Sequence, residues 1–573
     1  MNQKIVAYIP LDDRPCNYDR VKLAAEAMGI NLLTPPVEYF KNYLDNQGTN
    51  DRGWQIGCPD KIEQWFKQVN QQYNIDSYII SLDQLCSGGL IGARKFNHPI
   101  SSDEALNRVK RVMDMTNGKK VYLFDVVLRL ATTVGFDGLT QADYEASWNY
   151  ASVPRYKVDI GMYNENEERS EIIGSYDMGV DGKKIDASKY GFAKVNEYLD
   201  ARMRKFNLNC EVGKLLSNNY PNVDFVYGVG DANNNNTIQT NEINHIKKYI
   251  IDASSQIFAG IDELGMTMLG RVACDFYTTK RIKVRTTYFG PGADKLADMY
   301  DYETLRQNVN KHIFLLGNCE IVSGNETEDV EVLILTKPDD YPNLSESDRK
   351  AAQERDMYQF SNDIHWHINW NTRERNHPTI VIDASWFKSR GGIMQSRLLG
   401  NYGKPMELPK ILAYSNWNTV GNAVGMALGH GIGRYAYLKS SNKVDRRKAL
   451  TGQVKILFTE YAKDICYQVG GQWKLDRDFG AGASNFAAAN IDMNSEWFRK
   501  TASQGMLDDT FSIFKLAELF YKDGYIYEDL SNYKLTQINW VNFPYEDGLD
   551  FFPIQFPWKR TFECTFPVQV SFK

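Results

Sequence analysis

The chain has 573 residues, of which 24% are charged, and its formal net charge is -6 at pH 7. This length exceeds the roughly 250 to 300 residues at which a single hydrophobic core stops growing, so we expect two or three domains. No basic stretch indicates nucleic-acid binding and no apolar run approaches the roughly 18 residues of a spanning helix. We therefore expect a cytoplasmic protein that binds neither nucleic acid nor membrane. The sequence leaves its oligomeric state open.

Strand-like apolar runs alternate with amphipathic helical stretches over the first three quarters of the chain. This alternation predicts an α/β fold with a parallel-sheet body, either barrel-like or doubly wound. After about residue 440 the pattern becomes helical, and the end of the chain is aromatic and β-prone. We expect an N-terminal α/β region at 1–255, a second α/β region at 256–440, and a C-terminal helical region with a terminal β segment at 441–573.

The predicted strands share an acidic residue at or near the carboxyl end. The first run, "KIVAYIPLD", is followed by Asp13 and Arg14 and then by a proline that ends the strand. The carboxyl edge of a parallel sheet is where ligands bind, although an aspartate there can also cap the next helix. The strand-end acids predict an acidic cleft if the strands share a sheet: Asp12, Asp83, Asp125, Asp231 and Asp383, with Asp262 and Glu263 after "QIFAG".

The segment at the end of the second predicted run, "SLDQLCSGGLIGAR", contains Asp83, Gly88, Gly89 and Arg94. Adjacent glycines let backbone N–H groups approach a ligand closely, and an arginine can hold a carboxylate, a phosphate or sugar hydroxyls. The alternative is a tight turn in which Arg94 pairs with an acid of the "LDDR" loop.

The stretch "DANNNNTIQTNE" has the spacing of a calcium-binding loop. Its oxygen-bearing side chains occupy the ligand positions of an EF-hand loop: Asp231, Asn233, Asn235, Thr237, Gln239 and Glu242. A strand precedes it where an EF-hand has a helix, so the alternative is a polar rim of an active site. Calcium is the one cofactor that the sequence suggests.

Two aromatic stretches follow later in the chain. "YSNWNTVGNAVG" ends a strand with Asn416, Trp417 and Asn418, which suit a polyhydroxylated ligand because amides donate and accept hydrogen bonds while an indole stacks. The alternative there is a capped helix with a buried tryptophan. In "DIHWHINW", His365 and His367 would share one face of a strand, without an identifiable third metal ligand.

Five segments together resemble a known family: "PLDDRP" at 10–15, "SLDQLCSGGLIGAR" at 81–94, "GIDELGMTMLGR" at 260–271, "YSNWNTVGNAVG" at 414–425 and "PWKRTFE" at 557–563. In this order they resemble the large bacterial family known as domain of unknown function 4127, over nearly the whole chain. The resemblance implies no established activity. The family pattern has an aspartate pair near 230 and 231, where this chain has Gly230 and Asp231.

The acidic strand ends predict a hydrolase, glycosidase-like, that acts on a small glycan or glycoside. The candidate catalytic residues are Asp12, Asp13, Asp83, Asp231, Asp262 and Glu263, and the candidate substrate-binding residues are Arg14, Gly88, Gly89, Arg94, Asn416, Trp417 and Asn418. Two alternatives remain: a metal-dependent hydrolase that uses the acids as ligands, and a two-lobed sugar-binding protein without catalysis.

Overall fold

The computed structural model describes residues 3–572 apart from 234, 254–255, 297–299, 386–406, 417, 442, 480–494, 508–512, 523–534, 541–553 and 562. The predicted site residue Trp417 therefore lies outside the described residues. The described chain forms an α/β fold with a helical C-terminal region, as the sequence predicts.

The first sheet has six parallel strands in the order β2-β1-β3-β4-β5-β6. Their bounds are β1 Lys4–Ile9, β2 Ile30–Leu33, β3 Ser77–Ser81, β4 Lys120–Val127, β5 Val223–Val229 and β6 Ile257–Ala259. β2 and β3 lie on opposite sides of β1. The connection from β1 to β2 therefore runs in one direction along the sheet, and the connection from β3 to β4 runs in the other. Ligands of doubly wound sheets bind in the crevice at such a switch point, outside the carboxyl ends of the strands.

The second sheet has five parallel strands in the order β11-β10-β9-β7-β8. Their bounds are β7 Ile282–Phe289, β8 Cys319–Ile321, β9 Val330–Thr336, β10 Thr379–Ala384 and β11 Ala413–Ser415. Read from β8, this order repeats that of the first five strands of the first sheet. Neither sheet closes in the described chain, so the doubly wound alternative is confirmed and the barrel is wrong. A small antiparallel pair, β12 Leu535–Trp540 and β13 Val568–Phe572, follows at the C-terminal end.

The central strands β3, β4, β9 and β10 are buried on both faces, which is why they read as largely continuous apolar runs. In β1, Ala7 and Ile9 pack into one core, while Val6 and Tyr8 pack into another. The first sheet also includes β6, which lies just beyond residue 255.

The described helices carry the following bounds: α1 Asp19–Ala27, α2 Val37–Phe40, α3 Pro59–Gln72, α4 Leu82–Ser87, α5 Leu90–Ala93, α6 Ser102–Met115, α7 Gln141–Ala151, α8 Glu165–Gly174, α9 Val195–Asn219, α10 Ile238–Tyr249, α11 Leu264–Tyr277, α12 Leu305–Leu315, α13 Glu346–Asn369, α14 Val420–Lys439, α15 Arg446–Tyr461, α16 Gln472–Phe479, α17 Glu496–Leu507 and α18 Ile513–Lys522. A π-helical segment, Ala462–Gly471, joins α15 to α16. Within the described chain, none of these helices has the length and apolarity needed to cross a bilayer.

The strand predicted around His365 and His367 is wrong, because both residues lie in the long helix α13. Ile364 and Ile368 of this helix are fully buried and belong to one core. Their spacing of four residues places them on one face of a helix. The local run of aromatic and apolar residues looks like a strand only when this spacing is ignored.

Glycines let α11 and α14 pack backbone to backbone, and this contact joins the two sheets. A Cβ atom on Gly270 would lie 2.5 Å from the carbonyl oxygen of Gly429, and one on Gly429 would lie 2.5 Å from the carbonyl oxygen of Met266. A Cβ atom on Gly421 would lie 2.3 Å from the carbonyl oxygen of Ala259, at the end of β6. Side chains at these positions would push the sheets apart.

We expect Gly429→Ala to lower the melting temperature, because the new methyl group meets backbone atoms that cannot move independently. Overpacking of this kind costs about 1–3 kcal/mol. Gly174→Ala is the matched control, since a Cβ atom on Gly174 meets no other atom within 4 Å. Thermal denaturation of both variants measures the difference, and equal melting temperatures would contradict the role given to this helix contact.

Candidate functional site

Arg14 binds two aspartates at the carboxyl edge of the first sheet. Its Nε and Nη2 atoms donate to Asp12 at 3.1 and 2.9 Å, and its Nη1 and Nη2 atoms donate to Asp262 at 3.0 and 2.5 Å. All three side chains are almost fully buried. One guanidinium therefore binds both carboxylates, and buried charges require such partners.

Local geometry and a contact from the second sheet hold this cluster in place. Asp12 Oδ1 also accepts from the backbone N–H of Arg14 at 3.0 Å and from Asn17 Nδ2 at 2.9 Å, which closes the turn after β1. Asn418, which follows β11, donates from Nδ2 to Asp262 Oδ2 at 3.0 Å. The carboxyl edges of the two sheets thus meet at Asp262.

Asp13 lies beside this cluster and is held by a tryptophan from the C-terminal end of the chain. Its Oδ1 atom accepts from the backbone N–H of Asn42 and from Trp558 Nε1, each at 3.0 Å. The indole of Trp558 also lies against the guanidinium of Arg14, 4.6 Å from the ring centroid. Burial and the nearby Asp12 raise the pKa of Asp13 to about 6. A half-buried carboxyl group with this pKa can donate or accept a proton near neutral pH.

Glu563 closes the same loop from the C-terminal segment. Its Oε1 atom accepts from the backbone N–H of Cys16 at 3.1 Å, and both residues are buried. Burial raises the pKa of Glu563. The loop after β1 is therefore covered by residues from the far end of the chain.

Three further arginines lie near the cluster. Arg129 pairs with Asp231 at 3.2 Å, while Arg94 donates from Nη1 to Thr133 at 3.3 Å. Burial and the neighbouring Arg129 lower the pKa of Arg94. Burial, Arg129 and Arg14 lower the pKa of Arg560 to about 9. Four arginines, with Arg14, therefore lie among five carboxyl groups at this edge: Asp12, Asp13, Asp231, Asp262 and Glu563.

The chain matches the family model described as "Protein of unknown function (DUF4127)" over residues 6–567. It belongs to this family. No curated protein and no solved structure matches the chain. The family match covers both sheets, the Arg14 cluster and the C-terminal residues that close it, and it confirms the resemblance carried by the five sequence segments.

The family segment "PWKRTFE" contributes site residues that strand-end reasoning misses, namely Trp558, Arg560 and Glu563. Its presence among the family's segments is the signal that could have identified them. Arg129 follows β4 without a comparable signal, because a single arginine after an apolar run is common.

Asp83, which the sequence predicts to line a cleft, lies in a buried ion pair. Lys205 Nζ is 2.7 Å from Asp83 Oδ1 and also donates to Asp125. A fully buried carboxylate requires such a partner. Asp83 and Asp125 therefore share one lysine inside the first α/β body instead of facing a crevice.

Glu263 also lies away from the Arg14 cluster, although it is adjacent to Asp262 in sequence. Its carboxylate is fully buried, with Oε1 3.6 Å from His312 Nε2. A Cβ atom on Gly425 would lie 2.2 Å from Glu263 Cγ, so the side chain is enclosed between α11 and α14. Burial raises the pKa of Glu263.

Gly88 and Gly89 serve chain packing instead of ligand approach. Both have left-handed φ angles, 72° and 111°. Their N–H groups donate to the carbonyl oxygens of Gln84 and Asp83. A Cβ atom on Gly89 would lie 2.6 Å from Asn42 Oδ1, so only glycine fits against this neighbouring loop.

The described residues of the predicted calcium loop do not form an EF-hand arrangement. Glu242 is buried and its two oxygens accept from Arg202 and Tyr176, each at 2.6 Å. Gln239 is buried too and donates to the carbonyl oxygens of Leu128 and Gly230. Thr237 is the N-cap residue of α10. Asn233 caps a turn by accepting from the N–H of Asn235. With Glu242 engaged by an arginine, the calcium interpretation has no support here.

The carboxyl edge of the second sheet carries its own polar groups. Asp383 accepts from the N–H and the hydroxyl of Ser385, at 3.0 and 2.6 Å. Asn416 is buried, and its N–H donates to Asp464 at 3.1 Å. Of the predicted asparagine pair, Asn418 reaches the Arg14 cluster, whereas Asn416 is tied to the C-terminal helical region.

Arg14→Met should destabilise the protein strongly, because it leaves Asp12 and Asp262 buried without a cation. Removing one partner of a buried ion pair costs about 3–5 kcal/mol. Arg111→Met is the matched control: Arg111 also contacts two carboxylates, Glu63 and Glu104, but on an exposed surface. Thermal denaturation should show a large loss for the first variant only. Equal losses in melting temperature would contradict the large cost assigned to breaking the buried Arg14 cluster.

Asp13→Asn should change the pH dependence of stability. The ordinary pKa of an aspartate is 3.8, and that of Asp13 in the folded protein is about 6. Asp13 therefore makes its full contribution to stability below pH 3.8, and this contribution is lost as the pH rises through about 6.

An asparagine does not ionise, so the variant should gain in melting temperature over the unmodified protein between these two pKa values and keep that gain at higher pH. Asp200→Asn, at an exposed position of α9, is the control. A difference in melting temperature that does not vary with pH would contradict the raised pKa of Asp13.

Proposed function

We propose that this protein is a hydrolase that acts on a small acidic glycan or glycoside at the carboxyl edge of the first sheet. The observation that carries the proposal is the placement of Asp13, a carboxyl group with a pKa of about 6, at a switch-point loop beside a concentration of arginines. Glycoside hydrolysis needs a proton donor and a second carboxylate.

Asp13 suits the proton donor. Its pKa of about 6 lets it hold a proton in part at neutral pH and release it to a leaving group. Trp558 and Asn42 fix its Oδ1 atom and leave Oδ2 for a substrate. Asp12 and Asp262 are unsuited to proton transfer, because both carboxyl groups are buried and are bound by Arg14.

Asp231 is our candidate for the second carboxylate. It follows β5 at the same sheet edge, its side chain is 23% exposed, and Arg129 contacts its Oδ2 atom. A carboxylate beside a guanidinium is suited to the role of nucleophile or base that glycoside hydrolysis requires. The acid pair of the proposal is thus Asp13 and Asp231.

The arginines indicate that the substrate is anionic. Burial and positive neighbours lower the pKa of Arg94 and of Arg560, and a bound carboxylate, sulfate or phosphate group would relieve the repulsion between these arginines. Arginine binds such planar or tetrahedral anions through paired N–H donors.

The two alternatives from the sequence have less support. Arg14 lies between Asp12 and Asp262, where a metal-dependent hydrolase would need a cation. In the part of the chain that the structure describes, these acids also do not belong to a cluster with metal-ligand spacing. A binding protein that closes two lobes needs a hinge, whereas the glycine contacts of α11 and α14 join the sheets rigidly.

We expect the protein to cleave chromogenic glycosides of uronic acids or sulfated sugars in preference to the neutral glycosides of the same leaving group. Asp13→Asn should lower kcat by about 100-fold or more with little change in KM, because it removes the transferable proton. Steady-state kinetics on a substrate found by screening such a panel measures both effects.

Arg94→Gln should raise KM for the acidic substrate and leave that of the neutral analogue unchanged. Arg111→Gln, on the exposed surface, is the control and should change neither constant. Full turnover by the Asp13→Asn variant would overturn the catalytic assignment, and an equal effect of Arg94→Gln on both substrates would overturn the assignment of an anionic substrate.

A further inference from the structure

Three helices bring a glutamate, a cysteine and a histidine together far along the chain from the Arg14 cluster. One ligand atom each of Glu165 in α8, Cys210 in α9 and His245 in α10 lies within 4.8 Å of the other two. Cys210 and His245 are fully buried. The three residue types are those that bind zinc in proteins.

The imidazole of His245 is oriented by a second carboxylate. Its Nδ1 atom lies 2.7 Å from Glu168 Oε1, and Glu168 Oε2 accepts from the N–H of Gly161 at 2.6 Å and from the hydroxyl of Tyr249 at 3.1 Å. A carboxylate fixed in this way makes Nδ1 the donor and leaves the lone pair on Nε2. Histidines that bind metals are commonly oriented by such a carboxylate.

The atoms that face one another in the cluster have no hydrogen-bond partner. His245 Nε2 and Glu165 Oε1 are both buried and unpartnered, and they lie 3.6 Å apart. Neighbouring ligand atoms around a tetrahedral zinc ion are separated by about 3.3–3.8 Å, given bond lengths of about 2.0–2.3 Å. A buried imidazole nitrogen aimed at a carboxylate oxygen at this distance is explained by a cation between them.

We propose that Glu165, Cys210 and His245 bind a zinc ion, with Glu168 as the positioning residue of His245. The thiol of Cys210 loses its proton to solvent when the sulfur binds the metal. The Oε2 atom of Glu165 pairs with Lys214, so Oε1 is the oxygen available to the ion. A nitrogen and a sulfur ligand favour zinc over magnesium or calcium, which prefer oxygen ligands.

Zinc here would fasten α8 to the helices that cover the first sheet. Glu165 lies in the polar stretch between β4 and α9, whereas α9 and α10 connect directly to β5. The site uses one cysteine without C-x-x-C spacing, so the cysteine pattern of the sequence does not indicate it.

A second cluster with metal-ligand spacing, Glu328, Glu331 and His377, does not carry the same inference. Its carboxylates are already neutralised: Arg285 and Arg375 contact Glu328, and Arg375 lies 3.5 Å from Glu331. Both oxygens of Glu328 contact arginines, whereas Lys214 contacts only Oε2 of Glu165 and leaves Oε1 without a hydrogen-bond partner.

The test uses the purified full chain, depleted with a chelator and then titrated with zinc. We expect one zinc ion per chain by elemental analysis after dialysis, and a rise in melting temperature with zinc concentration because the ion binds the folded state. Cobalt in place of zinc should give the visible spectrum of a tetrahedral site with a thiolate-to-cobalt charge-transfer band. A protein that retains no zinc and gains no stability from it would overturn the proposal.

Variants assign the ligands. Cys210→Ser should abolish the charge-transfer band, whereas Cys86→Ser, which changes another buried cysteine, should retain it. Glu168→Gln should weaken zinc binding by about 10- to 100-fold without changing the number of ions bound, as expected for a positioning residue. If Cys210→Ser fails to fold, His245→Gln and Glu165→Gln provide the same test through the loss of cobalt absorption. Unchanged cobalt spectra in the folded variants would overturn the ligand assignment.

Discussion

Backbone contact between α11 and α14 is the constraint on which the candidate site depends. Gly270 and Gly429 bring the two helices close enough that no side chain separates them. Since α11 follows the first sheet and α14 follows the second, this contact fixes one sheet relative to the other. Asn418, at the start of α14, can therefore reach Asp262 beside α11. A looser helix pair would separate the halves of the site.

Burial of charge is the second constraint. Arg14, Lys205 and Arg202 each contact buried carboxylates, and each group lies close to the carboxyl end of a strand of the first sheet. Such groups are costly to separate and give the loops defined positions, because a displaced loop would leave a charge without a partner.

Sequence patterns predict the central strands well, because β3, β4, β9 and β10 are buried along almost their whole length and are largely apolar runs. The acids are harder to assign. Asp12 and Asp83 each follow a strand in the same way, and their environments differ through Arg14 and Lys205. Lys205 lies in the middle of α9, more than a hundred residues from Asp83, so local reasoning does not separate a cleft acid from a core ion pair.

The contact between Asp13 and Trp558 spans 545 positions of the chain, and that between Cys16 and Glu563 spans 547. Domains fold as they leave the ribosome, N-terminal residues first. The loop after β1 is therefore synthesised long before the residues that cover it. During translation Asp13 lacks the indole N–H that donates to its Oδ1 atom in the folded protein. The surroundings of Asp13 are therefore complete only when the last segment of the chain docks.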